Sequence, residues 1–141
     1  MHSPAAPPIG LYVAQVSKVV SRAFDECLAA EGGSLPVWHV LVALTDGHAA
    51  SQRELAEQVG IQDATLTHHL NAMEAARLVT RRRDPRNRRV HLVELTTEGE
   101  ALHARLREAA AAFDGRLRGG FTDDELTRLR ELLTRLRDNA V

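Results

Sequence analysis

Between Arg77 and His91 stand seven arginines (Arg77, Arg81, Arg82, Arg83, Arg86, Arg88 and Arg89) against one acid, Asp84, which gives this stretch a local charge of about +6. Guanidinium forks match phosphate oxygens two at a time, so the segment reads as an anion-binding surface with nucleic acid as its leading partner. A merely solvated basic hairpin is the plain alternative. A second group precedes it: Ala64, Thr65, Thr67, His68 and Asn71 are small or polar, with no acid or bulky side chain among them. Thr and Asn can hydrogen-bond base edges or phosphates, and alanine and the threonine methyl can touch a thymine methyl. Catalysis lacks comparable support, since no Ser-His-Asp, paired-carboxylate or phosphate-loop pattern occurs. The seven histidines include no pair four residues apart, and the adjacent His68 and His69 do not share a helix face. The expectation is therefore a chain that is not an enzyme and has no metal and no cofactor.

These residues need a scaffold. A chain of 141 residues, 44% hydrophobic and 26% charged with a net charge of -1, suits one folded domain with its own core, spanning 1–141. The single Cys27 cannot form an internal disulfide. The stretch MHSPAAPPIG lacks the basic start and apolar run of a signal peptide, and Val37 to Leu44 is too short to span a bilayer, so a cytoplasmic protein without a membrane partner is expected.

Helical spacing of Tyr12, Val16, Val19, Val20, Ala23, Phe24, Cys27 and Leu28 predicts a helix from Ile9 to Ala30, stopped by Gly32 and Gly33. Pro36 at a first helical position opens a second helix to about Thr45, apolar on most sides. Ser51 and Glu54 have the spacing of a capping box ahead of a short helix carrying Leu55, Ala56 and Val59, which turns at Gly60. Asp63 is the expected cap of a helix from Ala64 to Ala76, whose inner stripe is Leu66, Leu70 and Met73. Ala64, His68 and Asn71 then lie opposite the core, with Thr65 and Thr67 on the flanks. Val79 to Arg83 and Val90 to Leu95 read as strands joined by a turn at Asp84-Pro85-Arg86-Asn87. Thr97 and Glu100 suggest a second capping box before a long helix, and Thr122 and Glu125 a third before Leu126, Leu129, Leu133 and Leu136. The fold class is mainly α with a small β-hairpin wing. Segment 36–95 forms a winged helix-turn-helix, and segments 9–30 and 97–139 expose apolar stripes suited to a homodimer through the N- and C-terminal helices.

The run from Leu35 to Gly99 resembles the core of the MarR family of transcriptional regulators, and the flanking helices match that family's layout over nearly the whole chain. SQRELAEQVG, the T-x-T-H-x-L pattern from Thr65 and the wing DPRNRRVHLVELTTEG are the most specific pieces. The resemblance implies an obligate homodimer whose two lobes grip a pseudo-palindromic operator in double-stranded DNA, as a repressor relieved by a ligand or an oxidant. Carried over by position, Thr65, Thr67 and His68 would serve on the recognition helix, while Arg86, Arg88 and Arg89 would contact backbone and minor groove. One departure is Asn87, where the family commonly has Asp before paired arginines. Another is His68, where relatives often carry arginine, so operator binding is expected to tighten as pH falls through the histidine range.

Family effectors lodge between the dimerisation helices and the DNA-binding lobe, which singles out Tyr12, Val16, Trp38, His39 and Val42 as a small-molecule pocket, with core packing as the plain alternative for each. Cys27 is the one candidate redox residue. Its place near the end of its helix, with Tyr12 the only tyrosine, favours a buried inert thiol over a redox-sensing repressor. A winged-helix module that docks an acidic protein instead of DNA is the competing class.

Overall fold

The structure, a computed structural model, describes residues 5–45 and 50–141. The start of the N-terminal arm and residues 46–49, inside the run that carries the family resemblance, lie outside the described residues. The elements in chain order are α1 (Ile9–Ala30), α2 (Leu35–Ala43), β1 (Ala50–Ser51), α3 (Gln52–Val59), α4 (Asp63–Ala75), β2 (Val79–Asp84), β3 (Asn87–Leu95), α5 (Thr97–Leu117) and α6 (Asp123–Ala140). The chain divides into two compact bodies, Met1–Ala110 and Ala111–Val141. Among the described residues no helix is long and apolar enough to cross a membrane.

The first body is a winged helix-turn-helix, with α2, α3 and α4 packed on one another and α3 and α4 against a three-stranded antiparallel sheet of order β1-β3-β2. Leu28, Leu41, Leu55, Leu66, Leu70, Met73, Val79, Val93 and Leu106 are all fully buried and form one cluster. Of the long stripe on α1, only its C-terminal end joins that core. Tyr12 and Val19, nearer its start, are 53% and 70% exposed.

Helix ends follow the available hydrogen-bond acceptors. Ser34 Oγ accepts from the Val37 N–H and Asp25 Oδ1 from the Leu35 N–H at 2.8 Å, so α2 starts one residue before Pro36. It ends at Ala43, and its Trp38, His39 and Val42 edge is partly open instead of enclosed on most sides. Ser51 caps α3 through the Glu54 N–H. Gly60, at a φ of 76°, makes the turn into α4 that a residue with a Cβ would resist. Asp63 proves to be the first residue of α4 and not its cap; there its carboxylate faces the positive end of the helix dipole. Thr96, not Thr97, caps α5: its hydroxyl accepts from the Gly99 N–H at 3.0 Å and donates to the Arg77 carbonyl. Gly99 is required by space, since a Cβ there would lie 2.1 Å from the Leu78 carbonyl oxygen.

The hairpin is longer than the valine pattern suggests. β3 starts at Asn87, Asp84 pairs with Asn87, and an irregularity between Arg83 and Asp84 bends the strand into the Pro85-Arg86 tip. β1, two residues that pair Ala50 with Val93 and Ser51 with Leu92, is a strand the sequence does not announce.

In the second body Thr122 and Glu125 form the expected capping box, each bonding the other's backbone N–H. Leu129, Leu132 and Leu133 of α6 are exposed.

Candidate nucleic-acid interface

The outward face of α4 is a stripe at helical spacing, Ala64, His68, Asn71 and Ala75, all exposed, on the side away from buried Leu66, Leu70 and Met73. Thr65 is exposed beside it. Thr67 is half-buried, and its hydroxyl is already engaged: it accepts from Gln52 Nε2 at 2.6 Å and donates to the Asp63 carbonyl at 2.9 Å. That arrangement ties the start of α3 to the first turn of α4, so Thr67 holds the two helices of the motif together and offers chiefly its methyl to an outside partner. His68 and His69 have ring centroids 5.7 Å apart, with His68 exposed and His69 half-buried.

The wing arginines divide into two sets. Arg82 donates through Nε and Nη2 to Glu94 Oε1 at 2.9 and 2.7 Å, a cross-strand pair. Arg81 reaches back to α4, where its Nη2 bonds Asn71 Oδ1 at 2.6 Å and Glu74 Oε1 at 3.1 Å. The hydrogen bond from Arg81 holds the Glu74 carboxyl below the usual carboxylate range, against a smaller opposing effect of burial. Arg83 caps the Arg88 carbonyl. By contrast, among the described residues no acid pairs with the guanidinium groups of Arg86, Arg88 and Arg89. All three are exposed around the tip. Their backbone is fixed locally, since Asp84 Oδ1 accepts from the Arg86 N–H at 2.9 Å and Asn87 Oδ1 from the Arg89 N–H at 3.2 Å. The result is a hydrogen-bonded tip carrying three exposed cations next to a polar helix face, a shape and charge suited to a duplex with a groove and a phosphate backbone.

A second feature lies between α2 and α3, a cleft of about 390 Å³ lined by Trp38, His39, Val42, Ala43, Gln58 and Val59. Trp38 is held by stacking on His103 of α5, with centroids 5.6 Å apart and planes 10° apart, and by an edge contact with Phe24 at 6.4 Å. Burial holds the His103 imidazole below the usual histidine range, and the charge of Arg107 adds to the effect. Three of the five expected pocket residues therefore come together. Tyr12 and Val16 do not join them: both are exposed on α1 and do not line this cleft. Cys27 is a free thiol, half-buried instead of fully enclosed. Among the described residues no group of three or more His, Cys, Asp or Glu could hold a metal ion.

Residues 34–91 match the family model described as MarR family. The chain is 30% identical to the HTH-type transcriptional regulator YdgJ of Bacillus subtilis over 124 residues, 88% of this chain and 74% of that one. The chain belongs to the MarR family. It is a MarR-family transcriptional regulator with the family's winged-helix fold. Among solved structures, the transcriptional repressor CouR bound to a 23-mer DNA duplex is similar with a TM-score of 0.83 and 27% identity, covering 92% of each chain. CouR from Rhodococcus jostii RHA1 bound to p-coumaroyl-CoA is similar with a TM-score of 0.77 and 26% identity, covering 94% of this chain and 95% of that one. Within the MarR frame, Asn87 does not hold a guanidinium here; its carboxamide bonds the backbone of its own strand.

Gln52, Glu74 and Glu94 are the residues that sequence reasoning missed, together with the role of Arg81, which it counted only among the anion-binding arginines. Glu74 and Arg81 lie seven apart on a helix and a strand, a separation that carries no periodic signal, and only the close approach of β2 to α4 joins them.

Proposed function

We propose that this MarR-family regulator is a sequence-specific DNA-binding repressor that grips a pseudo-palindromic operator as a cytoplasmic homodimer and is relieved by a small-molecule effector. The observation that carries the reading is the set of three acid-free guanidinium groups at the wing tip, Arg86, Arg88 and Arg89, beside the exposed stripe of α4. Arg82, by contrast, is already neutralised by Glu94. Arg86, Arg88 and Arg89 would contact phosphates and the minor groove and set the sequence-independent affinity, while Thr65, His68 and Asn71 would contact base edges, with Thr67 adding its methyl. The exposed apolar residues of α1 and α6, Tyr12, Val16, Val19, Leu129 and Leu133 among them, support assembly with a second copy through the terminal helices. A two-fold dimer places its half-sites roughly 10 base pairs apart.

The effector site supported best is the cleft at Trp38, His39 and Val42, apolar and with an aromatic wall. An apolar or phenolic effector there would lower operator affinity by its coupling free energy, typically about 1 to 3 kcal/mol. The test is fluorescence anisotropy of the purified protein on duplex DNA from upstream of its own gene, over a range of salt concentrations with excess random competitor. Binding that survives competitor and weakens log-linearly with salt supports the reading. No binding even at low salt overturns it in favour of an acidic protein partner.

A further inference from the structure

The link between Arg81 and Asn71 has a consequence for which bases the recognition helix can read. Arg81 crosses from β2 to α4, where its backbone N–H donates to Glu74 Oε2 at 3.2 Å and its Nη2 donates to Glu74 Oε1 at 3.1 Å and Asn71 Oδ1 at 2.6 Å. Its side chain is only 20% exposed, so the guanidinium is lodged between helix and strand and does not project to solvent. An arginine has donors and no acceptor, so it can bond only the oxygen end of a carboxamide. The orientation of the Asn71 amide is thereby set: Oδ1 turns toward the wing and the Nδ2 donors face away from it, on the exposed stripe with Ala64, His68 and Ala75.

We infer that Arg81 is a positioning residue that presents Asn71 to DNA through its Nδ2 donors, favouring guanine, whose N7 and O6 both accept, over adenine, whose N7 acceptor stands beside an N6 donor, at the base it meets. A free asparagine pairs with adenine by accepting from N6 and donating to N7. Here Arg81 draws Oδ1 toward the wing, away from where it would accept from N6, whereas the Nδ2 donors remain available. The inference rests on the DNA-reading function proposed above.

The test is selection of operator sequences from a randomised duplex pool, read by sequencing, for the wild type and for Arg81→Ala, Asn71→Ala and Asn71→Asp. Asn71→Ala identifies the position by erasing its preference. There the wild type favours guanine over adenine by about fivefold or more. Arg81→Ala frees the amide to rotate and admits adenine at that position alone, a readout that a purely structural loss, which weakens all sequences alike, would not move. Asn71→Asp keeps the bond to Arg81 but has no donors, and shifts the position toward bases with an exocyclic amine. Three outcomes overturn the inference while leaving DNA reading intact: adenine preferred by the wild type at that position, an unchanged base preference in Arg81→Ala, or no position altered by Asn71→Ala. A wild type that enriches no sequence overturns the underlying function as well.

Discussion

The division of the wing arginines into internally bonded ones and those whose guanidinium groups have no partner among the described residues makes a quantitative prediction about salt dependence. Each phosphate neutralised by a protein cation contributes about 0.9 to the slope of log affinity against log salt. Arg86, Arg88 and Arg89 have no acidic partner to leave, so each is free to displace a counterion from DNA, whereas the Arg82 guanidinium is engaged twice by Glu94 at 2.7 and 2.9 Å. Replacing Arg88 by alanine should therefore reduce the slope by about 0.9 for each bound copy, and the triple alanine variant by roughly 2.7. Between about 50 and about 200 mM salt, the triple variant should then lose roughly 40-fold less affinity than the wild type for each bound copy, because it has fewer counterions to recapture. Arg82→Ala should leave the slope nearly unchanged. The assay is anisotropy on a random-sequence duplex, where the phosphate term acts without base readout. Slopes that fall with Arg82→Ala and stay fixed with the Arg86, Arg88 and Arg89 variants would refute the argument that internal pairing decides which cations reach DNA.

Gly99→Ala should destabilise the first body by about 3 kcal/mol, because the new methyl would have to displace the Leu78 backbone; a urea midpoint equal to the wild type would show that the approach is not tight. Arg77, the residue after the C-cap Ala76 of α4, has a φ of 62°, a conformation that costs a side-chain-bearing residue about 1 to 2 kcal/mol, so Arg77→Gly should raise the unfolding free energy by a net amount of about 0.5 kcal/mol after the flexibility glycine adds to the unfolded chain; a lower urea midpoint would contradict this. His103 binds its proton less readily when folded than when unfolded, so its neutral stack on Trp38 contributes fully above a pH of about 6.5 and is lost as pH falls below that value. His103→Phe, which retains a ring for stacking, should accordingly lose less thermal stability on acidification than the wild type, as read by melting at several pH values; equal losses would exclude His103 as the cause.

Much of the architecture is legible in the order of residues. The 3.6-residue recurrence of Leu66, Leu70 and Met73 turns Ala64, His68 and Asn71 outward whatever else the chain does, and the strand-like segments on either side of the Asp84-Pro85 turn favour a hairpin. α1 spans Ile9–Ala30, as its apolar spacing requires. These are local consequences of side-chain period and turn chemistry, and they were enough to reveal the helix and wing. Short-range capping is less legible where acceptors compete: Thr96 supplants Thr97 because its hydroxyl can also reach the Arg77 carbonyl, and Asp63 moves inside its helix.

What only the tertiary structure decided is which polar groups remain available. By residue type alone the seven arginines between Arg77 and Arg89 are equivalent, and neither Thr67 nor Asn71 shows whether its polar atoms are already bonded. Folding brings Glu94 across to Arg82, Glu74 and Asn71 to Arg81, and Gln52 to Thr67, pairings between elements whose separation in the chain has no period to reveal them. It also parts Tyr12 and Val16 from Trp38, His39 and Val42, because only the last turns of α1 reach the core. A side chain's type determines the bonds it can make, but whether it has already made them depends on neighbours that only the folded chain supplies.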